Sequence, residues 1–209
     1  ISSPCVLAHV RAATPGLPVV QLNCHPFVCG AFAFMHNGRV GGFSKIRRGL
    51  MKTLSDRAFN AVSGSTDSEF LFALFLDFYR EIEKREERED ETLLAEALKE
   101  TILEVERQKK EAGVGEPSFL NLAVTDGRAA VISRYVSKGG DEAPTLYVHA
   151  GGSCECRHRQ LHLIKTGGPR RAVIAASEPL TDEEAWMEVP GDNMLVICGD
   201  LHIELIPIS

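Results

Sequence analysis

Hydrophobic residues in the middle of the chain recur every three or four positions, between Phe70 and Ile82 and again between Leu93 and Val105. This spacing puts them on one face of a helix, so it predicts a pair of helices. The mixed-sign charged run at residues 80–91 is typical of a solvated helix end or loop. A further helical pattern extends from near Phe43 to about Ala61.

Short apolar or alternating runs on both sides of this helical region predict β-strands. They cover Cys5–Ala13, Ala31–Met35, Phe119–Thr125, Ala129–Val136, Leu146–Ala150, Ala172–Ala176, Met194–Cys198 and His202–Ile206. Asp126-Gly127 is a hairpin-turn signal between two of them. The stretch 137–169 is the least regular and is predicted to be mainly loop. Strands, then helices, then mostly strands predict an α+β domain with segregated layers.

Composition adds limits on function. The chain has 209 residues, 44% of them hydrophobic and 25% charged, with a net charge of −6. The acidic balance argues against a nucleic-acid-binding surface, and no apolar run approaches the length of a membrane span. The six cysteines are widely spread, and a chain of this size does not need disulfides, so reduced thiols and a cytoplasmic location are expected.

Three short segments hold the candidate chemistry. Arg11, at the end of a predicted strand, offers a guanidinium fork for a carboxylate. Asp67, near a predicted helix start, offers a carboxylate for an ammonium group and would be favoured there by the helix dipole. Asn37 and Gly38 offer a side-chain and a backbone N–H for a developing oxyanion. Alone, each has an ordinary alternative: a surface arginine, a helix cap and a hairpin turn, respectively.

A metal site and phosphate binding are less well supported. Cys154, Cys156, His158 and His162 have metal-like chemistry, but the one-residue gap between the cysteines does not match structural zinc spacing. An ordinary loop is therefore expected, with no metal and no cofactor. The Gly-Gly pairs lack the phosphate-loop pattern and are predicted to be turns.

In this order, HVRAATPG, NCHPF, FMHNG and GSTDSE resemble the class II glutamine amidotransferase domain of the N-terminal-nucleophile (Ntn) hydrolases. The long match through HVRAATPG, NCHPFVCG and FMHNG to the later VIAASEPLTDEEAW resembles one branch in particular, that of the glutathione-degradosome amidotransferase subunit and the hydrolase of ergothioneine synthesis. The resemblance implies that residues 1–209 form one such domain, a four-layer αββα sandwich with its N-terminal strand missing.

The same resemblance implies residue roles. Arg11 would bind the α-carboxylate of a γ-glutamyl substrate and Thr14 would line the same pocket. Asn37 and Gly38 would form the oxyanion pair, and Asp67 would take the α-amino group. His25 and the segment Ser177–Pro179 also match family positions, without an assigned role. The substrate would be glutamine, glutathione or a related γ-glutamyl compound, and a peptidase-like partner subunit is expected.

The nucleophile is the main departure from the family pattern. In this family an N-terminal cysteine attacks the amide, whereas here the first residue is Ile1 and Cys5 lies in a predicted strand without a free amine. A truncated chain, inactive alone, is the preferred interpretation. The alternatives are a non-catalytic homologue that serves as a binding or assembly module for a partner enzyme, and an ammonia-supplying domain of a synthase.

Overall fold

The computed structural model describes residues 3–10, 23–86, 91–138, 143–151, 153–157, 160–164, 172–181 and 185–209. Within them, the helices are α1 (Phe43–Thr53), α2 (Asp56–Ala61), α3 (Asp67–Glu86) and α4 (Glu91–Glu111). The strands are β1 (Phe27–Cys29), β2 (Phe32–Arg39), β3 (Phe119–Thr125), β4 (Ala130–Arg134), β5 (Tyr147–Ala150), β6 (Ser153–Arg157), β7 (Gln160–Ile164), β8 (Val173–Ala176), β9 (Met187–Glu188), β10 (Asn193–Ile197) and β11 (Ile203–Pro207).

Antiparallel pairing joins the strands into three sheets. The largest has six strands in the order β1-β2-β3-β4-β10-β11. A smaller one has the order β8-β5-β9, and β6 pairs with β7 alone. Asp126-Gly127 forms the predicted β3–β4 turn, in which Asp126 Oδ1 accepts the backbone N–H groups of Arg128 at 2.8 Å and Ala129 at 2.9 Å.

The two faces of the six-stranded sheet are buried by different layers. Leu122 and Val124 face the helices and belong to the main core with residues of all four. Ala123 and Ile132 point the other way and pack with residues of β5 and β8. The described part of the chain is thus a helix layer, a large sheet and a small sheet, which confirms the predicted α+β class.

The two longest helices confirm the predicted helical pair, since α3 and α4 pack together through their apolar faces. The charged run between the two series of apolar residues is mostly helix, because α3 continues to Glu86 and α4 begins at Glu91. None of the helices in the described ranges combines the length and apolar character that crossing a bilayer requires.

The strand predicted at Cys5–Ala13 is wrong for its described part, residues 5–10, which form no strand. The physical reason is exposure, because Val6 is 78% and Val10 is 99% exposed. An alternating pattern forms a strand only where a neighbouring strand pairs with it and a core buries its apolar side. Residues 11–13 lie outside the described part.

Two further boundaries differ from the sequence prediction. The helix predicted from Phe43 to Ala61 is two helices, because the Ser55 side chain accepts the backbone N–H of Ala58 at 3.2 Å and caps α2. The strand predicted at Leu146–Ala150 is confirmed as β5, but the rest of the stretch 137–169, predicted to be mainly loop, also contains the β6–β7 hairpin. That hairpin lacks a Gly or Asn turn signal in the sequence, so only the pairing of its two strands in the structure identifies it.

Candidate active site

The candidate oxyanion residues lie at the end of β2. Phe34 and His36 are buried towards the helices, whereas Asn37 is exposed on the opposite side of the alternating strand. Asn37 pairs with Asn121 of β3, and Gly38 pairs with Leu120. Asn37 and Gly38 are therefore strand residues, and the hairpin-turn alternative does not apply to them.

Gly38 is a position where the backbone requires glycine. Its φ is +147°, and a Cβ built there would lie 2.0 Å from the carbonyl oxygen of Phe119. The neighbouring strand passes too close for any side chain, and its backbone cannot move aside cheaply. Gly38 is exposed and has no side chain of its own to cover its amide, which suits an oxyanion donor.

The start of α3 is held by hydrogen bonds from its own loop. Thr66 Oγ1 accepts the backbone N–H of Glu69 at 3.3 Å and caps the helix. The Glu69 carboxylate accepts the N–H groups of Ser63 at 2.7 Å and Gly64 at 2.6 Å. The turn before α3 is thus fixed, and Asp67, its first residue, is held in a defined place.

Asp67 connects the start of α3 to the segment that follows β2. Its Oδ2 accepts the backbone N–H of Val40 at 2.8 Å, and its Oδ1 accepts that of Ser68 at 2.8 Å. Asp67 remains partly exposed. The Oδ2 atom can accept a second hydrogen bond, so the contacts with the protein leave acceptor capacity for a ligand.

His36 forms a second connection between the same elements. Its Nε2 lies 3.0 Å from the carbonyl oxygen of Phe119, and its Nδ1 lies 3.0 Å from Ser68 Oγ. A carbonyl can only accept, so Nε2 carries the proton and Nδ1 accepts from the serine hydroxyl. Burial lowers the pKa of His36, outweighing the opposing effect of Asp67; His9 also lowers it. His36 therefore favours the neutral form and holds β2 against β3 and α3.

The lowered pKa of His36 predicts a pH-dependent stability. The unfolded histidine, with a pKa of 6.5, binds a proton more readily than the folded one, so stability is complete above that pH and is lost as pH falls below it. One such group contributes at most about 1.4 kcal/mol per pH unit. Urea unfolding of the parent and of His36→Gln between pH 7.5 and 5 should show a shallower slope for the variant. Equal slopes would contradict this assignment.

The structure describes three of the five predicted site residues. Asn37 and Gly38 lie at the end of β2, which the Val40–Asp67 and His36–Ser68 hydrogen bonds join to the start of α3, where Asp67 lies. Arg11 and Thr14 lie outside the described residues. Cys5 Sγ contacts Thr125 Oγ1 at 3.7 Å. Thr125 is four residues along β3 from Asn121, the strand partner of Asn37, which corresponds to about 13 Å of strand. Cys5 therefore contacts β3 away from the candidate oxyanion residues.

His36 and Lys109 support this site and were not predicted from the sequence. Lys109 is buried, and its Nζ donates to Ser118 Oγ at 3.0 Å and Ser137 Oγ at 2.7 Å. Ser118 Oγ in turn accepts the backbone N–H of Gly41 at 3.0 Å. The signal was available, since helical spacing from Val105 places Lys109 on the buried face and strand alternation from Phe34 buries His36.

No metal-binding group of three or more His, Cys, Asp or Glu residues occurs in the described part of the chain. Of the four residues weighed as zinc ligands, His158 lies outside that part, and the side chains of Cys154, Cys156 and His162 are not described. Cys154 and Cys156 are on β6, and His162 is opposite Glu155 in the β6–β7 pairing.

Comparison with known proteins identifies the family. The family model described as glutamine amidotransferases class-II matches residues 1–205. The chain is 38% identical over 206 residues to the Saccharomyces cerevisiae protein named Probable glutamine amidotransferase DUG3, covering 93% of this chain and 57% of that protein. It is 26% identical over 209 residues to the gamma-glutamyl-hercynylcysteine sulfoxide hydrolase of Mycolicibacterium smegmatis, covering 100% of this chain and 66% of that protein.

The chain thus spans less than two thirds of the length of both relatives. Its fold is similar to the solved glutamine aminotransferase class-II domain protein of Silicibacter pomeroyi, with a TM-score of 0.63 and 30% identity over 90% of this chain and 72% of that one. The chain belongs to the class II glutamine amidotransferases.

Proposed function

We propose that the intact protein hydrolyses the side-chain amide of a γ-glutamyl compound by acyl transfer to an N-terminal cysteine. The observation that carries the proposal is that the end of β2, which offers the exposed Asn37 carboxamide and the Gly38 amide, is hydrogen-bonded to the start of α3, which offers the Asp67 carboxylate. The proposal assigns the first two groups to the oxyanion and Asp67 to the substrate ammonium group. Membership of the amidotransferase family supports the same chemistry.

In this proposal the cysteine belongs to a part of the intact protein outside residues 1–209. Its sulfur attacks the amide carbon, and the carbonyl oxygen becomes an oxyanion that accepts from Asn37 Nδ2–H and Gly38 N–H. The amine leaves with a proton, and water then hydrolyses the thioester to release glutamate. Asp67 binds the substrate α-ammonium, Arg11 binds its α-carboxylate, and Thr14 lines the pocket.

The substrate is proposed to be glutathione or a related γ-glutamyl thiol, with glutamine as the simpler alternative. The sequence branch favours the thiols, and one relative is named as a hydrolase of a γ-glutamyl compound that contains cysteine sulfoxide. We further propose a cytoplasmic protein with a peptidase-like partner subunit, and a four-layer αββα sandwich in the intact domain.

The test is glutamate release by the full-length gene product from glutamine, glutathione and other γ-glutamyl amides, with and without a peptidase-like partner. We expect release from at least one substrate, and an about 10²–10³-fold lower turnover for Asn37→Ala, the loss typical of one oxyanion donor. Residues 1–209 alone should release none above background. Failure of every substrate would contradict the proposal and favour a binding module.

A further inference from the structure

Asn121 is a buried amide on the same sheet face as the candidate oxyanion residue. It is 7% exposed and is the cross-strand partner of Asn37. Side chains of such a pair point to the same side, with Cβ atoms about 5 Å apart. The two carboxamides are not hydrogen-bonded in this structure, but this Cβ spacing allows a bond once the exposed Asn37 side chain turns towards Asn121.

The Asn121 carboxamide is held by its nitrogen end. Nδ2 donates to the carbonyl oxygen of Pro144 at 2.9 Å and lies 3.4 Å from that of Thr145. Turning the amide over would place Oδ1 against these carbonyl oxygens, where two acceptors repel. The end that remains is Oδ1, which is buried and has no hydrogen-bond partner.

Arg134 holds the segment whose carbonyl groups bind the Asn121 side chain. Arg134, 4% exposed, donates from Nε to the same Pro144 carbonyl at 3.2 Å and from Nη2 to that of Ala143 at 3.3 Å. Its Nη1 donates to Val189 O at 2.5 Å and Glu188 Oε1 at 2.7 Å. Asn121 cannot shift with this segment towards another donor, and native structures leave few buried acceptors unsatisfied.

We propose that Asn121 is a positioning residue that accepts one N–H of Asn37 Nδ2 and so directs the other N–H at the oxyanion. The two ends of a carboxamide have nearly the same shape, and a reversed Asn37 would present oxygen to the oxyanion and repel it. An acceptor at Asn121 Oδ1 selects the donor orientation. This inference rests on the proposed function, because it gives Asn37 its orientation for that reaction.

The test is a double-mutant cycle in the full-length protein. Asn121→Leu should lower kcat about tenfold, the equivalent of one hydrogen bond, with KM changed less than twofold. In the Asn37→Ala background the same substitution should have almost no further effect on kcat, because the group it orients is gone. A merely structural role would instead give losses that multiply.

The matched control is Thr145→Val. It removes the Thr145 Oγ1 hydrogen bond to Ser177 O (2.8 Å) from the same segment but leaves the acceptor of Asn121, so kcat should stay within twofold of the parent. If Asn121→Leu does not fold, Asn121→Ser, whose hydroxyl is too short to reach Asn37, replaces it in the cycle.

The outcomes separate the two proposals. A parent without glutamate release overturns the proposed function. An active parent, impaired by Asn37→Ala but unchanged by both Asn121 variants, overturns only the role of Asn121, as do losses that multiply in the double variant. A tenfold kcat loss that disappears in the Asn37→Ala background supports it.

Discussion

Gly38→Ala is expected to lower glutamate release by the full-length protein at least about a hundredfold and to destabilise the domain. The new Cβ would lie 2.0 Å from Phe119 O, 2.8 Å from Phe119 C and 3.0 Å from His36 Nε2. Relieving such contacts requires β2 and β3 to separate, which costs about 1–3 kcal/mol or more. Separation also displaces the Asn37 amide and the Gly38 N–H, and one lost oxyanion donor costs about 10²–10³ in turnover.

Two glycine variants are matched controls for this prediction. Gly30→Ala introduces a side chain at φ +60° with nothing within 4 Å, so it reports backbone strain without a clash. Gly115→Ala also meets nothing within 4 Å and should be nearly neutral. Urea unfolding and glutamate release measure all three variants. A Gly38→Ala protein as stable and active as Gly115→Ala would refute the expected clash.

Asp67→Asn should lower kcat/KM for a γ-glutamyl amide about 10²–10³-fold. The substitution removes the charge that the proposal pairs with the substrate α-ammonium, and loss of one partner of a close charge pair costs about 2–5 kcal/mol. The decisive measurement compares each substrate with the same amide lacking its α-amino group. The parent should strongly prefer the amino compound, and Asp67→Asn should lose most of that preference.

Asp77→Asn is the matched control for the structural part of this effect. Asp77 lies on the same helix and accepts the backbone N–H and the hydroxyl of Ser55, both at 2.7 Å. Both variants should therefore lose about 1–3 kcal/mol of unfolding free energy. Substrate preference should change in Asp67→Asn alone. If that variant kept the preference of the parent, Asp67 would have only its structural role.

Much of the fold could be predicted from the sequence because its signals are local. The apolar stripes of α3 and α4 recur within one turn of helix, and β3 and β10 are short and mainly apolar. The Asp126-Gly127 turn is likewise specified by adjacent residues. The strand prediction was wrong for residues 5–10, because an alternating pattern does not show whether a neighbouring strand is present to pair with it.

Boundaries and pairings needed the tertiary structure. Ser55 ends one helix and begins another through hydrogen bonds with Ala58 and Asp77, the second of them 22 residues away. The β6–β7 hairpin has no turn residue that a sequence pattern could register. In both cases a contact distant in sequence, or a ladder between strands, overrides the local propensity.

For the site, the sequence by itself determined the family through its ordered motifs and placed Asn37 next to Gly38. Only the tertiary structure decided that the start of α3, with Asp67, is joined to the end of β2, since the Val40–Asp67 and His36–Ser68 hydrogen bonds span 27 and 32 residues. Asn121 belongs to no sequence motif. Its proposed role is inferred from strand register and from its unpaired buried oxygen. Motifs record which groups are present, whereas register and burial decide which of those groups meet.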